Sequence, residues 1–131
     1  MKATLDHISI NVSDLANSVD FYNTVLVALG FSKIKDDEGW VNDVNGIWIN
    51  QTENSRTDKG FHRKNSGVNH IAFSVNSHKD VDHFFKEVIK ANDIPFLYGG
   101  PKEYPDYHEG YYAVFFEDPD RLKLEVMTMN Q

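Results

Sequence analysis

The stretch LDHISINV at Leu5 to Val12 returns as VNHIAFSV at Val68 to Val75, so that His7 and His70 lie 63 positions apart in matching surroundings. A chain that writes one strand twice is built from two copies of one unit, and any fold for it must place both. With the histidines aligned, DHISINV lies over NHIAFSV, Phe21 and Tyr22 over Phe84 and Phe85, and Phe31 over Ile94. Each copy opens with apolar residues alternating with polar or small ones, the period of a half-buried strand. In the first copy Ile8, Ile10 and Val12 point one way, and His7, Ser9 and Asn11 the other.

Each strand stops at an acceptor able to cap a helix: Ser13 or Asp14 in the first copy, Asn76 or Ser77 in the second. A helix follows in both. Leu15, Val19, Tyr22, Leu26 and Leu29 recur at helical spacing and end at Gly30, a residue suited to a left-handed C-cap. In the second helix Val81, Phe84, Phe85, Val88 and Ile89 form a comparable stripe. Three short strands are expected after each helix: FSKIKD, GWVND and GIWINQ, then IPFLY, YYAVFFED and LKLEVM. The predicted plan is strand, helix and three strands, twice over. The modules span about 1–52 and 67–131 of a single domain, joined by the polar, aperiodic connection TENSRTDKGFHRKNSG, read as a mobile link able to lie over a ligand site or act as a hinge.

The module ends match without a gap when DVNGIWIN is set over DPDRLKLE, which makes Asn50 the counterpart of Glu125. On that alignment the second module carries extra residues, placed in the patternless GGPKEYPDYHEG.

Composition narrows the partners. A net charge of -7 and the lack of a basic stripe weigh against nucleic acid phosphates. The absence of cysteine removes disulfides, thiolate nucleophiles and sulfur-ligated zinc. No run approaches the ~20 apolar residues of a membrane-spanning helix, so the expected location is the cytoplasm.

A doubled module of this length, with DH on its first strand, NHIAFSV on its fifth and FFEDPDRLKLEV at its end, resembles the vicinal oxygen chelate superfamily. That superfamily includes glyoxalase I, fosfomycin-resistance proteins, extradiol dioxygenases and bleomycin-resistance proteins. The resemblance covers essentially the whole chain. It departs from the family pattern at Arg121, where glycine is usual, so an uncommon turn is expected there. The implied fold is α+β, two βαβββ modules curling a mixed sheet into a partly open barrel, usually as a homodimer that sometimes exchanges modules. Exchange would let His7 and Glu125 meet His70 of a second copy.

The resemblance also implies a divalent metal (Mn, Ni, Zn or Fe) held by His7, His70 and Glu125, with Glu125 doubling as a catalytic base toward a small-molecule substrate. Two imidazoles and a carboxylate on one face of an ion leave open positions for substrate oxygens. A lone strand histidine is more often a hydrogen-bonded structural residue, and only the pairing by internal symmetry raises these two above that reading. At the place of Asn50 glyoxalase I has glutamate and methylmalonyl-CoA epimerase glutamine. Asn50 is therefore read as a hydrogen-bonding residue rather than a ligand, and glyoxalase I activity on glutathione adducts is not expected.

Trp48, Ser9, Tyr111, Phe115 and His108 are assigned to substrate binding, with the facing side of the strand around Tyr111 and Phe115 left open. Tyr104 and Tyr107 belong to the same inserted loop. Arg56, His62, Arg63 and Lys64 form a basic cluster, read as a solvated charge run with attraction of an anionic substrate as the alternative. His78 and His83 fall on the second helix, outside the site. The expected activity is a glyoxalase-like lyase, isomerase or transferase that chelates vicinal oxygens. An iron(II) extradiol dioxygenase and a metal-free drug- or metabolite-binding protein stand as alternatives.

Overall fold

A computed structural model describes residues 1–131, the side chains of residues 57–59 excepted. The chain divides into two compact units, Met1–Gly60 and Phe61–Gln131.

In the first unit β1 (His7–Val12) is followed by α1 (Leu15–Ala28) and by β2 (Ser32–Lys33), β3 (Gly39–Val41) and β4 (Gly46–Gln51). Of the two possible caps it is Asp14 that starts α1, its carboxylate accepting the Asn17 N–H at 3.1 Å. The helix ends as Gly30 takes a φ of +87° and Phe31 N–H closes back on the Leu26 carbonyl at 2.9 Å. That closure needs a left-handed residue, which glycine supplies without a Cβ clash. The sheet order is β1-β4-β3-β2, with β1 and β4 parallel and the other pairs antiparallel. One face presents Val12, Ile47, Ile49 and Trp40 to Tyr22, Val25 and Leu26 of α1, all buried. A fully buried aliphatic side chain of this kind contributes about 1.5–3 kcal/mol. The other face keeps His7, Ser9, Asn11 and Asn50 exposed.

A 3-10 helix, Asn54–Lys59, occupies part of the connection. The second unit then repeats the plan with β5 (His70–Ser74), α2 (His78–Phe84), β6 (Lys102–Glu103), β7 (Tyr112–Glu117) and β8 (Lys123–Thr128). Ser77 caps α2. The end of this helical segment, Phe85–Lys90, winds as a wider π-helix, a feature the apolar spacing does not disclose. The order β5-β8-β7-β6 copies the first sheet. Its helix-facing side carries Leu124, Val126, Val114 and Phe116 against Val81, Phe84 and Ile89.

The structure overturns one expectation about the strands and bears out one about a turn. IPFLY forms no strand; it makes an isolated bridge, Phe96 to Phe116, and the edge strand is Lys102–Glu103 inside the segment read as patternless. Arg121 does adopt the uncommon turn, with a φ of +66°. The architecture is α+β with two open four-stranded mixed sheets. Among the described residues no helix is long and apolar enough to cross a membrane.

Candidate metal centre

The pairing of β5 with β8 and β7 settles which side chains share a face in the second unit. His70, Ala72 and Ser74 stand opposite Lys123, Glu125 and Met127. Phe115 stands opposite Glu125, and Ala113 opposite Met127. Alternation then fixes the parity that the sequence leaves open: Ala113 and Phe115 line the Glu125 side, and Tyr112, Val114 and Phe116 the helix side.

On that face His70 Nε2 lies 3.2 Å from Glu125 Oε2, with the carboxylate only 1% exposed. Each partner is held from behind. The His70 Nδ1–H donates to Asn69 Oδ1 at 2.8 Å. Asn69 is itself oriented by donating its amide to the Arg63 carbonyl at 3.3 Å. The other Glu125 oxygen accepts the Tyr111 hydroxyl at 2.6 Å. Burial, then this hydrogen bond, pushes the Tyr111 phenol well above its ordinary value, so it remains a donor. The geometry therefore presents a ring nitrogen lone pair to a carboxylate oxygen, two acceptors face to face. Such an arrangement is stable when a proton or a metal ion lies between them. The 3.2 Å spacing is one that a shared ion, bonded to each donor at about 2.0–2.2 Å, would fit.

Aromatic rings line one side of the pair. Phe115 meets His70 edge-on at 6.1 Å. Tyr98 and Tyr104 pack on Phe115 at 5.4 and 5.3 Å, and Tyr107 stacks on Tyr104 at 5.3 Å. The Lys123 ammonium stands 5.3 Å above the Phe115 ring. The Tyr104 hydroxyl is buried without a hydrogen-bond partner among the described residues. His108 does not join them; its Nδ1–H donates to the Glu109 carbonyl in an exposed turn. His78 stacks on Tyr112 at 4.1 Å, on the helix side of the sheet as expected.

In the first unit the His7 Nδ1–H donates to Asp6 Oδ2 at 2.7 Å, leaving the lone pair on Nε2, as in His70. Its neighbour on β4 is an indole: His7 and Trp48 meet edge-on at 5.4 Å. Trp48 lies flat across two glycines, where a Cβ on Gly39 or Gly46 would come within 2.5 or 2.1 Å of the ring. Its N–H donates to Asp37 at 3.1 Å. Asn50 donates to the Ser9 hydroxyl at 2.6 Å.

The strand registers correct the equivalence of Asn50 with Glu125. Ser9 pairs with Trp48 in the first unit, and Ala72, its counterpart, pairs with Glu125 in the second. The turns before β4 and β8 agree. The Asn42 side chain accepts from Val44 and Asn45, whereas that of Asp118 accepts from Asp120 and Leu122, one residue more. Trp48 therefore holds the place of Glu125, and Asn50 sits one pair further on. The pairing of β5 with β8 brings His70 and Glu125 onto one sheet.

Among the described residues no three His, Cys, Asp or Glu side chains are grouped as a metal site. The second unit assembles two donors, and His7 belongs to the first.

Asp6 and Asn69 were not singled out from sequence, although the DH and NH doublets are the signal for them. Tyr98 was missed because it lies in the segment read as a strand.

A model of the Glyoxalase/Bleomycin resistance protein/Dioxygenase superfamily matches residues 4–126. The chain belongs to this superfamily. Within it, the chain is 33% identical over 127 residues to the uncharacterized protein YqjT of Bacillus subtilis, covering 95% of this chain and 98% of that one. It is 30% identical over 125 residues to the metallothiol transferase FosB of Bacillus licheniformis, covering 95% and 74%. A solved structure of a glyoxalase-like superfamily protein from Bacillus halodurans superposes with a TM-score of 0.80 at 31% identity, covering 97% and 96%.

Proposed function

We propose that the chain is a divalent-metal-dependent enzyme that holds two adjacent oxygens of a small substrate, with His7, His70 and Glu125 as ligands. The observation that carries this is the opposed pair of His70 Nε2 and Glu125 Oε2 at 3.2 Å, each fixed from behind. His7 has the same tautomer, set by Asp6. It completes the set from its own chain or from a second copy in a homodimer.

A bound metal ion supplies Lewis acidity, stabilising negative charge that develops on the chelated oxygens. The chain's own residues do the rest. Tyr111 keeps Glu125 Oε1 occupied, so that the carboxylate offers the metal one oxygen. Phe115, with Tyr98 and Tyr104 packed on it, gives the His70 side an apolar wall. Ser9 and Asn50 present hydroxyl and amide groups to a substrate.

Thiol transfer is the reaction we favour. Chemistry with two opposed carboxylate bases, as in glyoxalase I, lacks its second carboxylate, because Trp48 holds that place. Similarity to metallothiol transferases supports the same choice. The test is consumption of free thiol by manganese-, nickel- or zinc-loaded protein with a panel of small oxygenated electrophiles, fosfomycin included. Metal-dependent consumption that Glu125→Gln abolishes is the expected result. Oxygen uptake with catechols by the iron-loaded protein, and no thiol transfer, would replace this reading with the extradiol one.

A further inference from the structure

The side chains of His62, Arg63 and Lys64 make no contact with the proposed metal ligands. In the second unit they meet Arg121, and these four residues with Phe61 line a pocket of about 200 Å³. Arg63 Nη1 and Arg121 Nε lie 3.0 and 3.1 Å from one and the same oxygen, Oε2 of Glu117. Glu117 is nearly buried, its side chain 10% exposed. One carboxylate cannot offset two guanidinium groups, and Lys64 makes no ion pair among the described residues. The nearby Asp118 accepts the backbone N–H groups of Asp120 and Leu122 and does not line the pocket. The lining of the pocket thus carries three cationic side chains and no carboxylate, in a chain whose net charge is -7.

Two further details show the cluster is oriented. His62 Nδ1 accepts the Lys64 N–H at 3.1 Å, which places the ring proton on Nε2. Arg121 sits at a φ of +66°, a conformation that glycine adopts freely and a long side chain does not. A cation is kept there at a conformational cost, the kind of strain that accompanies function.

We propose that this pocket binds a compact oxyanion of the phosphate type, free or as the end group of a small metabolite. Guanidinium N–H groups suit tetrahedral oxyanions, Lys64 adds a point charge, and Phe61 supplies an apolar wall for an ester's carbon. The site adjoins the metal face at its His70 end, since Arg63 offers its carbonyl to Asn69, which orients His70. It uses none of the proposed metal ligands.

The experiment is isothermal titration calorimetry on the full chain freed of metal by chelator, with inorganic phosphate and separately with glycerol phosphate. Arg121→Gly and Lys64→Ala are measured beside the parent. Saturable binding is expected, weakened about tenfold or more in each variant. Arg121→Gly is also expected to hold or raise the melting temperature, because it relieves the turn, so its weaker binding is not unfolding. Tighter binding of the ester assigns the site to a metabolite, and equal binding to free phosphate. No saturable binding, or unchanged affinity in both variants, overturns the proposal. Because metal is absent throughout, neither result depends on the metal centre.

Discussion

The two units are one plan carried out twice, and they differ most where each histidine meets the last strand of its sheet. His70 faces a buried carboxylate at 3.2 Å, whereas His7 faces the edge of an indole at 5.4 Å. The supporting residues diverge accordingly. Trp48 needs glycines beneath it, Gly39 and Gly46, while the register counterpart of Gly46 is Lys123, which Glu125 tolerates without crowding. Duplication supplied two imidazoles with matching tautomers, and divergence left one carboxylate. That inequality is why the proposed metal set has one carboxylate and two imidazoles rather than a second carboxylate from the first unit.

Replacing the carboxylate breaks the comparison most severely. Glu125→Gln keeps an acceptor for Tyr111 but should weaken metal binding by more than about 100-fold, since even outer partners of ligands are worth about 10–100-fold. Competition with a chromophoric chelator reads this directly, and the metal-free variant should melt as a folded protein. Gly46→Ala tests the indole side: crowding Trp48 should cost about 1–3 kcal/mol in urea unfolding, whereas Lys123→Ala stays within about 0.5 kcal/mol. Tyr111→Phe removes one hydrogen bond from Glu125 and should lower metal affinity about tenfold while leaving the fold intact.

The smallest effect lies on the helix side of the second unit. Burial and then the 2.7 Å bond to Asp82 push the Tyr112 phenol from 10.0 up to about 12. A raised value means the folded state prefers the protonated phenol. Its contribution is intact below pH 10 and is lost as pH rises from there toward 12. The urea midpoint of the parent should fall across that interval, and fall less in Tyr112→Phe.

Much of this was legible in the chain because alternation and caps are local. Ile8, Ile10 and Val12 against His7, Ser9 and Asn11 define the faces of β1, and Gly30 ends α1 as its spacing indicates. Register was not legible. A shift of two residues returns every side chain to the same face, so alternation cannot distinguish Trp48 from Asn50 as the counterpart of Glu125. The strand pairings do so, together with the turns: Asn42 rather than Asp43 matches Asp118, and the Asp118 turn is one residue longer. Those side-chain bonds are invisible in sequence. The edge strand Lys102–Glu103 escaped for a related reason: two residues are too few to show a period.

On the proposed reading, the histidine written into each copy and the single Glu125 hold one metal ion. Metal content by plasma mass spectrometry tests it most directly. The sample is protein purified without chelator or affinity histidines, beside His7→Ala, His70→Ala and Glu125→Gln. Near-stoichiometric metal in the parent and its loss in all three variants is the predicted result. A parent that holds no metal after incubation with manganese, nickel, zinc and iron, or a His7→Ala variant that keeps its full complement, would contradict it.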